Sequence, residues 1–180
     1  LSAILLGVGA SAAIHKSCDL ASKLAQQGHK VRAVLTPKAA RLVAPQLFEA
    51  LTGEPAASSE WGPRRRGAMD HIELASWAEL LVVAPCSADL VARLALGLGG
   101  TLLGTVALAL PADRPRVLCP AMNPHMLQNP ALRRHLEQLR ADGWRVLEPG
   151  EGHMACGVAG RGRLVEPSEI LSELQAILRA

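Results

Sequence analysis

Aromatic side chains are nearly missing from this chain. It has no tyrosine, one phenylalanine (Phe48) and three tryptophans in 180 residues. An aromatic platform for stacking nucleobases is therefore excluded. A strong charge of one sign is also missing: the net charge is +3, too mild to argue for nucleic acid. The run Arg64–Arg65–Arg66 lies in a loop-like stretch and reads as solvated rather than as a phosphate clamp. The four cysteines, Cys18, Cys86, Cys119 and Cys156, form no CxxC pair, so the usual zinc spacing is absent. No apolar run reaches the length of a membrane span. No secretory pattern is seen, because Ile4–Leu6 is short and runs at once into glycines. The expectation is a reduced, cytoplasmic protein with no membrane and no nucleic-acid partner. Leu1 stands where a start Met would, so a few N-terminal residues are expected to be missing.

What is present is apolar and regularly spaced. Hydrophobic residues make up 49% and mean hydropathy is +0.20, enough for one domain over 1–180 with a real core. Strand-like runs fall at Ala3–Leu6, Val31–Leu35, Leu80–Ala84, Val117–Cys119 and Trp144–Leu147. Helical spacing lies between them. The first helix has Ile14, Cys18, Ala21, Leu24 and Ala25 on one face and stops at Gly28. Thr36–Pro37 reads as a helix start, with helical pieces to Thr52 interrupted at Pro45. Glu54–Met69 reads as a long loop, and a short helix runs from His71 to Ala78. Further helices are expected over Leu90–Leu96, over Thr101–Leu110, from Pro124 with a restart at Asn129–Pro130, and over Pro167–Arg179. Thr101–Leu110 is apolar almost all round, which predicts burial in the core or against another subunit. Gly150–Gly162 carries five glycines and Cys156, and reads as a flap. Alternating strands and helices predict a doubly wound α/β domain, Rossmann-like or flavodoxin-like, with a mostly parallel sheet.

In such a sheet ligands bind beyond the carboxyl ends of the strands. The residues there are Gly9, Ala10 and Ser11; Thr36; Ser87, Ala88 and Asp89; and Ala121 to Asn123. Gly7–Ser11 is a small-residue turn before a helix N-terminus, equally a phosphate cradle or a plain tight turn. The Thr36 hydroxyl caps a helix or reaches the same phosphate. Ser87 or Asp89 caps the helix that follows, and the small residues beside them let a flat ligand approach the backbone. Asn123 presents an amide at a strand end. On local grounds His71 is more often a structural histidine, and Cys156 is open between flap filler and a reactive group. Cys18 and Cys119 read as core thiols, Cys86 as filler, and His125, His135 and His153 as surface residues.

Five ordered segments resemble the homo-oligomeric flavin-containing cysteine decarboxylases, nearest to the phosphopantothenoylcysteine decarboxylase branch. Gly7-Val-Gly-Ala-Ser-Ala-Ala-Ile-His-Lys16 resembles the family's first phosphate turn. His71-Ile-Glu-Leu-Ala-Ser-Trp-Ala78 is similar to its histidine segment, and Ala84-Pro-Cys-Ser-Ala-Asp-Leu90 to its "PASANT" stretch. Pro120-Ala-Met-Asn-Pro-His-Met126 resembles "PxMNxxMW", and Ala155-Cys-Gly-Val-Ala-Gly-Arg-Gly-Arg-Leu164 the "ACGxxGxGRM" flap. The chain departs from the pattern at Gly100–Thr101, where the family has an Asn/Asp pair, and at Leu127, where it has an aromatic.

The resemblance implies FMN as cofactor. Gly9, Ala10, Ser11 and Thr36 would hold its phosphate, and Ser87, Ala88, Asp89 and Ala121 would line the flavin. Asn123 would bind the substrate carboxylate, His71 would act as base, and Cys156 as acid. It implies a lyase acting on phosphopantothenoylcysteine, assembled as a homotrimer or as an assembly of trimers, with no metal. The family enzyme is often fused to a ligase domain, so the chain is expected to be either a stand-alone decarboxylase or half of a longer protein. Other readings are a peptidyl-cysteine decarboxylase and a non-enzymatic flavoprotein regulator. A nicotinamide dehydrogenase is disfavoured by the incomplete glycine pattern and by the lack of an acidic residue closing the second strand.

Overall fold

A computed structural model describes residues 1–61, 69–153, 157 and 159–179. The elements are β1 (Ala3–Val8), α1 (Ile14–Gln26), β2 (Lys30–Leu35), α2 (Pro45–Thr52), β3 (Ala56–Ala57), α3 (Asp70–Trp77) and β4 (Leu80–Cys86). There follow α4 (Ala88–Ala95), α5 (Leu102–Ala109), β5 (Arg116–Pro120), α6 (Pro124–Gln128), α7 (Pro130–Ala141) and β6 (Trp144–Val146). The chain closes with β7 (Gly150–His153), β8 (Ala159–Arg163) and α8 (Pro167–Arg179).

The central sheet has the order β3-β2-β1-β4-β5-β6, and every pairing in it is parallel. Strand order reverses between β1 and β4, so the connections leave these neighbours in opposite directions and open a crevice above them. Alternation along the strands feeds two cores. Ile4, Leu6, Val8, Val31, Leu35, Val82 and Val117 join α1, α2 and α8 on one face. Leu5, Val34, Leu81, Val83 and Leu118 join α3, α4, α5 and α7 on the other. Strands buried on both faces explain the unbroken apolar runs.

Three expectations change. The sheet has six strands rather than five, because β3 pairs Ala33 with Ala56 and Val34 with Ala57 inside the stretch expected to be a loop. Two residues are too few to carry a strand pattern. Thr36 does cap, its Oγ1 accepting from Ala39 N–H at 3.1 Å, but it starts a single 3-10 turn over Ala39–Arg41 rather than a lasting helix. The interruption at Pro45 is as expected: Ala44 before it is extended (φ −67°, ψ 137°), and Pro45 opens α2 as its first-turn proline. The glycine-rich segment is an antiparallel ribbon, β7 with β8, held by backbone pairing rather than side-chain burial. Its tip at residues 154–156 and 158, which includes Cys156, lies outside the described residues, as does the Arg64–Arg66 run.

Helix α5 is buried on one side only: Leu103 is fully buried, whereas Leu108 is 58% exposed. Among the described residues no helix is long and apolar enough to cross a membrane. Leu103→Ala is expected to cost about 2–5 kcal/mol in urea unfolding, the usual penalty for emptying a buried leucine site. Leu42→Ala, at a residue 58% exposed, should stay within about 0.5 kcal/mol. Equal losses at the two positions would contradict the core assignment.

Candidate functional site

The candidate residues other than His71 and Cys156 follow strand ends, and backbone bonds between neighbouring ends fix their spacing. Gly9 N–H donates to Pro85 C=O at 2.9 Å, Thr36 N–H to Val8 C=O at 2.9 Å, and Ala121 N–H to Cys86 C=O at 3.0 Å. The first of these depends on glycine: a Cβ on Gly9 would stand 2.5 Å from the Pro85 carbonyl oxygen. Above it, α1 begins at an N-cap, Ala13, that offers no side-chain bond, and its first turn holds no acidic residue. Its positive end is left uncompensated. Ser11 Oγ accepts from Ala13 N–H at 3.2 Å. Buried Ser17 donates its hydroxyl to Ala84 C=O at 2.8 Å, pinning α1 to the end of β4.

The β1–α1 turn divides the candidate residues between two adjoining cavities. One, of about 210 Å³, is lined by Ala10, Thr36, Ser87, Asp89 and Thr101, with Lys38 and Arg93 at its edge. Ser87 is the cap of α4, its Oγ accepting from Leu90 N–H at 3.4 Å, so the cap is Ser87 and not Asp89. The Asp89 carboxylate accepts from Arg93 Nε at 2.9 Å and lies 4.0 Å from Lys38 Nζ. Ala88 packs towards the second core. The other cavity, of about 410 Å³, is lined by Ser11, Ala121, Met122 and Asn123 together with His15, Lys16, His153 and Arg163.

Asn123 is fixed by its own helix. Its Oδ1 accepts from His125 N–H at 2.8 Å as the cap of α6, with Pro124 at the first helical position. The amide nitrogen is the donor end of the group. The β7–β8 ribbon closes over this loop, Met122 N–H donating to Gly162 C=O at 3.0 Å.

Four cavity residues had no role assigned from sequence: His15, Lys16, His153 and Arg163. Lys16 lies in the quoted turn motif and Arg163 in the flap motif. Only the fold shows that they share a carboxylate. Glu166 Oε1 accepts from Lys16 Nζ at 2.7 Å and from Arg163 at 3.0 Å, and Lys16 also reaches Leu164 C=O at 3.4 Å. Arg163 gets there by crossing Gly152, where φ is +146° and a Cβ would lie 2.9 Å from the arginine Cδ. The hydrogen bond from Lys16 is the main cause that holds the Glu166 carboxyl below its ordinary range; desolvation opposes it, and the charges of Lys16, Arg163 and His15 each add a smaller lowering.

His71 lines neither cavity. It sits in the first turn of α3, at the carboxyl end of the sheet but on the face of the second core. Its Nδ1 lies against Glu60 Oε1, and among the described residues neither atom has a further hydrogen-bond partner. Helix α3 is steadied by Arg32, which lies 4.4 Å from the Trp77 ring centroid and bonds Glu73 at 3.5 Å. The thiols of Cys86 and Cys119 are fully buried, and desolvation pushes both upward. The Cys18 thiol is half-buried and also raised by burial. No group of metal-ligating side chains occurs among the described residues.

Comparison with known proteins agrees with this geometry. The Flavoprotein family pattern matches residues 2–179. The coenzyme A biosynthesis bifunctional protein CoaBC of Bacillus subtilis is 39% identical over 168 residues, covering 93% of this chain and 41% of that protein. The chain thus spans about two fifths of the length of the curated relatives it matches. A PPC decarboxylase variant complexed with pantothenoylaminoethenethiol superposes with a TM-score of 0.83 at 30% identity, covering 99% of both chains. The FMN-dependent cysteine decarboxylase SpaF gives 0.84 at 29%, covering 99% of this chain and 98% of its own.

The Glu166 bridge makes a pH prediction. A carboxyl whose folded pKa is depressed stabilises the fold above its unfolded pKa, and that stabilisation fades as pH falls through the folded value. The melting-temperature gap between wild type and Glu166→Gln should be widest near neutrality and close in acid. A gap that widened on acidification would refute the bridge.

Proposed function

The chain belongs to the Flavoprotein family, and from that premise we propose that it is an FMN-dependent decarboxylase converting phosphopantothenoylcysteine to phosphopantetheine in coenzyme A biosynthesis. The observation that carries this reading is the position of Asn123, locked by its cap in a cation-lined cavity that adjoins a hydroxyl-lined cleft across the Gly9–Ser11 turn. The cleft suits FMN. It offers hydroxyls at Thr36, Ser87 and Thr101, and Ala10 of the turn that leads into the uncapped start of α1 borders it. In this reading Gly9, Ala10, Ser11 and Thr36 hold the FMN phosphate, and Ser87, Ala88, Asp89 and Ala121 line its ring.

When bound, FMN supplies reversible hydride transfer, which gives the electrons of the leaving carboxylate somewhere to go. The chain does the rest. The Asn123 amide nitrogen donates to the substrate carboxylate without a fixed positive charge. A cation there would stabilise the ionised ground state and slow CO2 loss. His71 takes a proton from the substrate at Nε2, and the contact of its Nδ1 with Glu60 fixes the ring so that Nε2 is presented. Cys156 returns a proton after CO2 leaves. The buried, raised thiols of Cys86 and Cys119 are unsuited to that task near neutral pH.

Because His71 lies outside the Asn123 cavity within one chain, we propose that a second copy delivers it, in a homotrimer or an assembly of trimers. Leu96 and Leu98 in the connection after α4 and Leu108 on α5 are exposed apolar residues that support such assembly. We place the enzyme in the cytoplasm, where the pathway's soluble substrate is made.

The direct test is CO2 release from phosphopantothenoylcysteine by the yellow, FMN-loaded protein. Absence of turnover with FMN bound would overturn the proposal. Asn123→Asp should still cap α6, since aspartate caps as well as asparagine. Placing a carboxylate against the substrate carboxylate should nevertheless lower kcat/KM by about 100-fold, the loss of one charged hydrogen bond plus repulsion. Cys156→Ser should release CO2 but stall before phosphopantetheine forms, whereas His71→Asn should block before CO2 release.

A further inference from the structure

Helix α6, which Asn123 caps, is five residues long and buries only Pro124. Its own hold on the core is slight, and strand β8 supplies a second one. Met122 N–H donates to Gly162 C=O at 3.0 Å, and a Cβ on Gly160 would stand 3.1 Å from Pro124 Cγ. The residues on either side of Asn123 thus both bear on β8. The sequence of that strand, Ala-Gly-Arg-Gly-Arg, gives it little apolar surface with which to hold its own place. Just beyond it Leu164 and Val165 are buried in the first core, which anchors its carboxyl end. The other end needs a different anchor, since a two-stranded ribbon is marginal alone. Arg161 provides it. Its Nη2 donates to Glu148 Oε2 at 2.8 Å and its Nε to Pro149 C=O at 3.4 Å. The second carboxylate oxygen, Glu148 Oε1, accepts from Nη2 of Arg140 in the last turn of α7. Leu136 and Leu139 bury that helix in the second core. One carboxylate, giving one oxygen to each arginine, therefore links α7 to β8.

We propose that Glu148 and Arg161 are positioning residues for Asn123: their bridge to α7 holds Gly162 against Met122 and so keeps the Asn123 amide where the substrate carboxylate meets it. The inference rests on the decarboxylase reading above and adds to it two residues that line neither the Asn123 cavity nor the hydroxyl cleft. The cap of α6 orients Asn123 within its own loop, and the bridge places that loop against the domain. Both ion pairs are exposed to water, so each is weak by itself. They matter here because β8 has little else to place its amino-terminal half, and a displaced binding group loses rate steeply. Because the link runs through one carboxylate, removing Glu148 or removing Arg161 removes the same support, and the two losses do not add.

FMN-loaded wild type, Glu148→Gln, Arg161→Gln, the double variant and Arg161→Lys are compared by site-resolved hydrogen exchange and by CO2 release from phosphopantothenoylcysteine. In Glu148→Gln and Arg161→Gln the Met122 amide should exchange about fivefold faster, the upper end for an exposed ion pair. The Ala121 amide, bonded to Cys86 C=O in the sheet, should keep its rate. In both variants kcat/KM should fall by a similar factor, and the double variant should be no worse than the single ones. Arg161→Lys keeps a cationic donor and should recover most of the loss. Arg140→Gln should reproduce the Glu148→Gln result, and it tests the bridge from its other end if Glu148→Gln does not fold. Unchanged Met122 exchange, or losses that add in the double variant, would overturn the bridge. Faster exchange with kcat/KM intact would overturn the positioning role. A wild type that holds FMN but releases no CO2 would bring down the decarboxylase reading and the positioning role with it, leaving the exchange rates to judge the bridge alone.

Discussion

The Gly9 N–H to Pro85 carbonyl bond, 2.9 Å long, is the constraint on which the site depends. It joins the ends of β1 and β4 at the one place in the sheet where strand order reverses. A side chain at Gly9 would push the two ends apart, because the atom it meets is backbone and cannot swing away. With the ends held, Ser11 and Ser87 fall on opposite sides of the crevice, each at the start of a helix. The Ser17 hydroxyl bonded to the Ala84 carbonyl secures α1 to the same stretch of β4. Parallel strands bring every carboxyl end to one edge, so Thr36 and Ala121 take their places by extending the same ladder of bonds.

Most of this frame was legible in the sequence, because buried parallel strands are written as unbroken apolar runs and helices as one-sided ones. Leu80–Ala84 and Val117–Cys119 needed nothing more. The errors came where local chemistry and tertiary pairing compete. Ala56–Ala57 has no strand signal of its own and is a strand only because β2 offers an edge. Thr36–Pro37 carries good helix-start chemistry, yet Pro45 forces Ala44 to be extended and the helix has to begin again. The glycine-rich segment reads as a flap because glycines have no side chains to bury. Backbone pairing and the Met122 to Gly162 bond provide the order instead.

The site was legible in its strand-end residues and not in its charges. Gly9, Ser11, Thr36, Ser87 and Asn123 announce themselves through turn and cap chemistry. Lys16, Arg163 and Glu166 do not, because their meaning lies in a contact between residues about 150 positions apart, with one shared oxygen. Nothing in the run around Glu166 marks it as a counter-ion for the first helix. Gly152 is a similar case: its role is to let an arginine from the opposite strand lie flat across it.

The two departures from the family pattern can be weighed on the same physical footing. Gly100–Thr101 stands where an Asn/Asp pair is usual, but threonine is itself a capping residue. Thr101 Oγ1 accepts from Gly104 N–H at 3.2 Å, so α5 still starts where it must. Thr101 also keeps an oxygen in the wall of the hydroxyl cleft, though a neutral one. Leu127 replaces an aromatic behind Asn123, and it packs against the second core by its apolar surface. The cap that orients Asn123 uses the backbone N–H of His125, and the bond from residue 127 back to Asn123 uses the backbone at both ends, at 3.0 Å. Neither bond involves the side chain at 127. The amide is therefore aimed by main-chain geometry, and the loss of an aromatic ring changes what packs behind it without changing where it points.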